Sequence, residues 1–408
     1  MEPIDLILVG CGVMGTRHLR GHAVLERARP GSLRLRAVCD PRAEAANRVA
    51  DEAVQLLGYR PRPCAGVAEA LAIEPGIVAA DVVTDPRSHP EVVIGLLEAG
   101  VHVQVEKPMA LTVAAGRPML DAAARTGKVL AVAENYRRDP MARLVRHAIA
   151  SGAVGRPHFV SEFHISDGRR VVVTPWRHDW AQGGLALDVG VHYSDMLEYL
   201  LGRVAIVSAR SIRVRDTRDW TPPPTAADPD PAPRAMPVEC DDLYTSTLAF
   251  ESGVEGVWVM HYGASGGGHW QRVIHGDGGS VSGPPDRTGQ PARLQRGAEV
   301  LEGEAMVAAL PDFRLNDTEA LFFGHSPGAY EMPFPEIDRN LIAIETAEFL
   351  DAVRDGRQPE VAGMEGLRAV AVVMALLESA HCGAPVRVED VMSGKVRAFQ
   401  DRMEGGAA

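Results

Sequence analysis

The sequence predicts an α/β protein that opens on a doubly wound parallel sheet, and three observations carry that reading. Short apolar runs alternate with stretches of helical periodicity through the first 136 residues. The turn Gly10-Cys11-Gly12-Val13-Met14-Gly15 follows the first run at once. The second run, Leu33 to Cys39, ends on a carboxylate, Asp40. Strands and helices alternating at this length call for a parallel sheet covered on both faces.

Leu6-Ile7-Leu8-Val9 reads as the first strand, and Thr16-Arg17-His18-Leu19-Arg20 as the opening of the first helix. Between them Gly10 permits the tight turn, Gly12 lets a pyrophosphate approach the backbone, and Gly15 lets helix and strand pack closely. Val13 and Met14 complete the cradle, with the phosphate expected at the positive end of the helix. Asp40 lies 25 positions beyond Gly15, near the spacing at which a carboxylate holds the adenosine ribose hydroxyls. A dinucleotide site is therefore expected. Asp40 favours NAD because it repels a 2′-phosphate; Arg42 would attract one, so NADP stays open.

The alternation continues with helices over 43–57 and 67–72 and a strand over 78–84. Asp85-Pro86-Arg87-Ser88-His89 turns the chain into a helix over 90–99. The alternating valines of Val101-His102-Val103-Gln104-Val105 read as a buried strand that stops at Glu106-Lys107-Pro108, since proline cannot donate to a ladder. A helix over 114–126 and a strand over 129–134 complete the unit. In such sheets ligands bind beyond the carboxyl ends of the strands. That edge collects Gly10 to Gly15, Asp40, Thr84 to His89 (with Pro86), Glu106 to Pro108, and Asn135-Tyr136.

With 408 residues, 46% hydrophobic and 24% charged, the chain suits two domains of a globular protein. No run approaches the roughly 20 apolar residues that span a bilayer. The start, Met1-Glu2-Pro3-Ile4-Asp5, lacks a basic leader. A net charge of −12 argues against nucleic acid, which needs a concentrated basic face. The five cysteines, at 11, 39, 64, 240 and 382, have neither pairing nor metal-ligand spacing, so a cytoplasmic setting is expected and no metal is. His18, His164 and His178 have no spacing that singles them out.

Gly183-Gly184 enters a helix that carries Asp188 and His192 and stops at Gly202. Four apart, the two side chains share a helix face; such a pair is often only a surface ion pair. Gly190 between them weakens the helix by up to ~1 kcal/mol, which suggests a close approach to the backbone. His192 has the intrinsic pKa for proton exchange with an alcohol. A single lysine after a strand is ordinarily a solvated charge, but Lys107 stands beside the glycine turn.

The glycine turn, Thr84-x-Pro86-x-x-His89, Val103-x-Val105-Glu106-Lys107-Pro108 and Gly183-Gly184-x-x-x-Asp188-x-Gly190-x-His192 together resemble the Gfo/Idh/MocA oxidoreductases, in register from about Ile4 to Gly202. The resemblance implies a Rossmann domain over 1–136 and a second, α+β domain over 137–408 with a large, mostly antiparallel open sheet. Extended, alternating stretches at 158–164, 205–214, 242–250, 254–262 and 272–276 agree with it. Helices over 337–353 and 364–381 should pack back across the domains. Trp220 to Pro237 is expected as an irregular insertion, and Gly283 to Pro335 as an elaborated loop or oligomer arm.

The resemblance further implies Lys107, Asp188 and His192 as the catalytic group. Tyr136, Trp176 and Arg177 are candidates for substrate contact, Arg177 being equally readable as a structural ion pair. Asp188 would bind a substrate hydroxyl and bias the imidazole, while His89 would lie near the nicotinamide, although Asp85 stands where proline is common. A homo-oligomer, dimer or tetramer, is expected. The function implied is hydride transfer between a nicotinamide cofactor and a hydroxyl or keto carbon of a sugar, cyclitol or related polyol. A glycoside-cleaving enzyme using transient oxidation is the alternative, and a non-catalytic cofactor sensor a third.

Overall fold

A computed structural model of the chain describes residues 2–171, 174–222 and 230–405. Strand β1 (Ile4–Val9), helix α1 (Val13–Ala28), β2 (Leu33–Cys39), α2 (Ala43–Leu57), β3 (Arg62–Cys64), α3 (Val67–Ile73), β4 (Ala79–Val82), α4 (His89–Glu98), β5 (His102–Glu106), α5 (Val113–Thr126) and β6 (Leu130–Ala133) follow in order. Their strands form one parallel six-stranded sheet, ordered β3-β2-β1-β4-β5-β6. The order reverses between β1 and β4, which opens a crevice at their carboxyl ends. Strand β3 was not expected. Three residues with a proline at a sheet edge give almost no periodic signal.

The chain then leaves the sheet through a 3₁₀ turn at Tyr136–Arg138 and helix α6 (Pro140–Ala150), whose first turn is capped by Asp139 accepting from Met141 N at 2.8 Å. Next come β7 (Pro157–Asp167), α7 (Gly184–Leu201), β8 (Val204–Ile212), β9 (Thr217–Trp220), β10 (Arg234–Pro237), β11 (Leu243–Phe250), β12 (Glu255–Ala264), β13 (His269–Gly276) and β14 (Gly279–Gly283). Strands β15 (Arg293–Arg296) and β16 (Glu299–Glu302) precede α8 (Gly303–Ala308), α9 (Asp317–Phe323), α10 (Phe334–Asp355) and α11 (Gly363–Cys382). The C-terminal part adds β17 (Val386–Arg387), α12 (Val388–Met392) and α13 (Ala398–Gly405). A nine-stranded sheet runs β16-β15-β14-β13-β7-β12-β11-β8-β17. Only its β7–β12 pair is parallel.

Two expectations about the second half need correction. The ends of the 220–237 segment are ordered: β9 pairs antiparallel with β10, and the Arg234 guanidinium lies 4.5 Å from the Trp220 ring. Residues 223–229 lie outside the described residues. The 283–335 stretch is neither a loop nor an arm as a whole, since β15 and β16 extend the large sheet and α8 and α9 follow. Both are charged, four-residue strands, β16 at the sheet edge, where polar sequence is normal, and β15 beside it, too short to show alternation.

The C-terminal helices cover the first sheet. Ala343, Ala347, Phe349 and Leu350 of α10 share one apolar layer with Leu19 and Leu25 of α1 and Leu6 and Leu8 of β1. Gly21 makes the contact possible, because a Cβ there would sit 2.4 Å from Ile342 Cγ2. Two ion pairs flank it, Arg29–Asp351 at 2.7 Å and Arg17–Asp338. On the other side α11 packs between α5 and α7, joining both sheets in one core.

Candidate active site

The three glycines of the first turn each have a separate physical reason. Gly10 has φ +102°, and a Cβ on it would lie 2.6 Å from Val83 O. Gly15 lies so close to the turn that a Cβ would sit 2.0 Å from Gly10 O. At Gly12 a Cβ would meet nothing within 4 Å, so its bareness serves something other than the protein's own packing. Gly12 also caps α1 without any side-chain hydrogen bond, and the first turn holds no acidic residue. The helix thus presents free N–H groups and the positive end of its dipole. Val13 is 67% exposed beside this opening, and the Met14 sulfur takes a contact from Arg17.

The adjoining cavity, of about 510 Å³, is lined by Gly10, Gly12, Asp40, Arg42, Thr84 and Val92 among others. Asp40 is buried and fixed: Oδ2 accepts from Cys11 N at 3.0 Å, and Oδ1 accepts from Arg42 N at 2.9 Å and Arg42 Nε at 3.0 Å. Burial pushes its carboxyl up, but these bonds outweigh burial and hold it below the ordinary range. Arg42 is thereby tied to Asp40, not turned toward a phosphate. An uncapped helix start, a bare glycine and an ionised carboxylate across one cavity fit a dinucleotide.

Strand β5 delivers Glu106, Lys107 and Pro108 to the same edge. His89 is fully buried, with Nδ1 3.1 Å from Pro108 O and Nε2 3.1 Å from Thr84 O. Its ring therefore staples the turn after β4 to the turn after β5. Pro86 is buried in the same turn and Thr84 half-buried. The ring that the sequence expectation set near the nicotinamide thus holds together two turns of the ligand-facing edge.

Helix α7 brings Asp188 and His192 opposite Lys107. Lys107 Nζ donates to Asp188 O at 2.9 Å and to Oδ1 at 3.2 Å. Arg177 Nε lies 2.6 Å from Asp188 Oδ2, and its guanidinium lies 5.3 Å from the Trp176 ring. Burial raises the Asp188 carboxyl, but Lys107 and Arg177 overcome that and keep it ionised. Both carboxylate oxygens are thus claimed by cations, and Asp188 acts on the imidazole as a nearby negative charge that pulls the His192 pKa up against burial.

The partner of His192 is Glu134, at the end of β6. Nδ1 lies 2.5 Å from Glu134 Oε1, and both residues are buried, at 7% and 3% exposed. Tyr136 stacks on the imidazole at 3.9 Å with 7° between planes. Arg287 in turn covers the Tyr136 ring at 4.6 Å, donates to Tyr136 Oη at 3.1 Å, and lies 3.4 Å from Asp338. It is the described non-glycine residue with positive φ, at 59°. Neither Glu134 nor Arg287 was singled out from sequence. Glu134 had a signal, its place beside Asn135-Tyr136 on the ligand-facing edge; Arg287, in a loop after β14, had none.

The close approach expected at Gly190 comes from the core, not from a ligand: a Cβ there would meet Val373 Cγ2 at 3.3 Å and Met260 Sδ at 3.4 Å. His18, passed over in the sequence, belongs to a buried cluster beneath the site. Asp81 Oδ2 lies 2.9 Å from both His18 Nδ1 and His22 Nε2, and His18 Nε2 faces Glu106 at 3.5 Å. Burial opposes a charge on His18, but Asp81 and Glu106 raise its pKa well above the ordinary value.

A mononucleotide-binding double unit joined to an α+β sheet, with a lysine, a carboxylate and an imidazole at the crevice, defines a nicotinamide-dependent oxidoreductase. Residues 4–134 match the family model described as "Oxidoreductase family, NAD-binding Rossmann fold", and residues 142–282 match the GFO/IDH/MocA C-terminal domain. The chain belongs to the Gfo/Idh/MocA family. It is 25% identical to a D-apiose dehydrogenase of Paraburkholderia graminis over 94% of this chain and 89% of that protein. It is 29% identical to a levoglucosan dehydrogenase of Pseudarthrobacter phenanthrenivorans over 69% and 73%. The fold is similar to a solved levoglucosan dehydrogenase in complex with NADH and levoglucosan, with TM-score 0.73 and 24% identity over 95% of this chain and 100% of that one.

Proposed function

We propose that the chain is an NAD-dependent dehydrogenase of a sugar, cyclitol or related polyol, which in reverse reduces the matching keto carbon. The observation that carries this is the convergence of Lys107, Asp188 and His192, in hydrogen-bonding networks beyond the carboxyl ends of β5 and β6, on the sheet edge that also carries the bare Gly12. The carbohydrate names of the relatives support the substrate class.

Bound NAD supplies the hydride acceptor, held by Gly10 to Gly15, Asp40 and the Thr84–Pro86 turn. The protein positions and polarises. An alcohol does not ionise near neutral pH, so His192 takes the hydroxyl proton at Nε2 as the carbon is oxidised. The Lys107 ammonium stabilises the charge that develops on that oxygen, in a site where little water screens it. Asp188, held by Lys107 and Arg177, accepts a hydrogen bond from a neighbouring substrate hydroxyl, with Trp176 and Tyr136 as walls. Asp40 makes NAD the preferred form over NADP.

The test is an absorbance scan at 340 nm with NAD and with NADP against inositols, aldoses and glycosides. Stoichiometric NADH formation with one of them is expected. Release of an aglycone without net NADH, or no turnover with any, would overturn the assignment. We also propose a cytoplasmic homo-oligomer, dimer or tetramer. All five cysteines are free, no described helix is long and apolar enough to cross a membrane, and Ile212 and Val214 at the large sheet are 56% and 46% exposed. Light scattering should give two or four times 43.7 kDa.

A further inference from the structure

We propose that Glu134 is a positioning residue that decides which ring nitrogen of His192 carries the proton, and that the Glu134–His192 pair holds as one unit the proton exchanged with substrate. The proposal rests on the dehydrogenase assignment above for its chemistry, but its central observation can be made without cofactor or substrate.

The geometry leaves the ring little choice. Tyr136 stacks flat on His192, so its plane is fixed, and Nδ1 shares a hydrogen bond with Glu134 Oε1 at 2.5 Å. Nε2, on the far edge of the imidazole, is the nitrogen left for substrate. Two arrangements of the pair differ by one proton. With Glu134 ionised, Nδ1–H donates to the carboxylate and Nε2 keeps a lone pair. With Glu134 protonated, its O–H donates to Nδ1 and Nε2 carries the hydrogen. The first arrangement is the base that alcohol oxidation needs, and the second is the acid that ketone reduction needs.

One turnover converts the first into the second. The substrate carbon loses its hydrogen with the electron pair to the nicotinamide, and the hydroxyl proton goes to Nε2. The Nδ1 proton passes to Glu134 Oε1, leaving a ketone and a neutral pair that later returns one proton to solvent. No imidazolium need persist beside Lys107.

The surroundings favour this neutral exchange. Glu106 and Lys107 face the pair from β5, Tyr136 and Arg137 from the turn after β6, Asp188 and Asp195 from α7, and Arg287 from the loop after β14. Burial raises the Glu134 carboxyl to about 7 against the pull of Lys107 and Arg137. Burial, Lys107 and Arg287 hold the imidazole well below its ordinary value. Coupled groups of this kind titrate as a pair.

The decisive measurement is ¹⁵N NMR of ring-labelled histidine in the cofactor-free protein between pH 5 and 9, with His192 assigned by its loss in His192→Ala. The expected result is a switch from the Nε2–H to the Nδ1–H tautomer with an apparent midpoint near 7, without imidazolium shifts. Titration through imidazolium, or one tautomer throughout, would overturn the proposal. In Glu134→Gln, whose amide cannot titrate, the switch should vanish, and kcat for oxidation should fall by roughly 100-fold or more with KM little changed. An unchanged pH profile in that variant would also sink it. If that variant does not fold, the wild-type titration alone decides. If no polyol is oxidised by the wild type, the dehydrogenase assignment fails while the tautomer result stands apart.

Discussion

Replacing Gly12 by alanine should separate cofactor binding from folding more cleanly than any other change in the first turn. The backbone there, at φ −78° and ψ −156°, is open to any residue, and a Cβ would touch no protein atom within 4 Å. Two small stability effects oppose each other. Alanine restricts the unfolded chain, worth about 0.4–1 kcal/mol. It is a poorer N-cap than glycine, at a cost of roughly 0.5–1 kcal/mol. The net should lie within about 0.5 kcal/mol of zero, and Tm should move by no more than about 2 °C. The added methyl, however, stands where the pyrophosphate meets the start of α1. Displacing it by a few tenths of an ångström should weaken NAD by roughly 10–100-fold, or about 1.4–3 kcal/mol. Gly15→Ala is the contrast, because its Cβ would overlap Gly10 O at 2.0 Å and should destabilise by about 1–3 kcal/mol or more. Calorimetric titration of NAD, beside thermal melts of the cofactor-free variants, reads both quantities. Wild-type NAD affinity in Gly12→Ala, or a melt as depressed as that of Gly15→Ala, would refute the reasoning.

Lys107→Ala should lower kcat by roughly 100–1,000-fold, as expected when one charged donor is removed from a developing oxyanion, while NAD titration stays close to wild type. Asp40→Ala should lower the ratio of kcat/KM with NAD to that with NADP by about tenfold or more, since the carboxylate no longer repels a 2′-phosphate. The stability of the wild type relative to Glu134→Gln should fall as pH rises from about 4.5 to 7: the Glu134 carboxyl, raised to about 7, binds more protons folded than unfolded in that window, while the opposite contribution of His192, whose pKa is lowered on folding, is common to both proteins. Urea melts of the two proteins across that range read the difference. Asp81→Asn should cost about 3–5 kcal/mol in the same melts, because the His18 imidazolium loses its buried counter-charge.

The first half of the fold was legible because each strand and helix is punctuated: glycines, prolines and acidic residues mark the ends, and period does the rest. Where punctuation fails, so does reading. Arg62-Pro63-Cys64 is too short for a period, and Arg293-Leu294-Gln295-Arg296 carries the polarity of an edge strand. The site was legible as a set of residues but not as a set of partnerships. Helical spacing puts Asp188 and His192 on one face, yet Asp188 is claimed by Lys107 and Arg177 and His192 by Glu134. Those choices are made by side chains 81, 11 and 58 positions away, and no local pattern encodes them.

The packing of α10 on α1 has a consequence for how the protein is made. Arg17 and Asp338 are separated by 321 positions, yet α1 and α10 share one apolar layer. At a synthesis rate of 5–20 residues per second, roughly 15–60 s pass between the appearance of α1 and that of its cover. For most of that interval, once β6 (Leu130–Ala133) has been made, the nascent cofactor domain has its strands but leaves the α10-facing side of α1 bare. Its N-terminal segment must therefore wait, partly finished and prone to self-association, until α10 has left the ribosome.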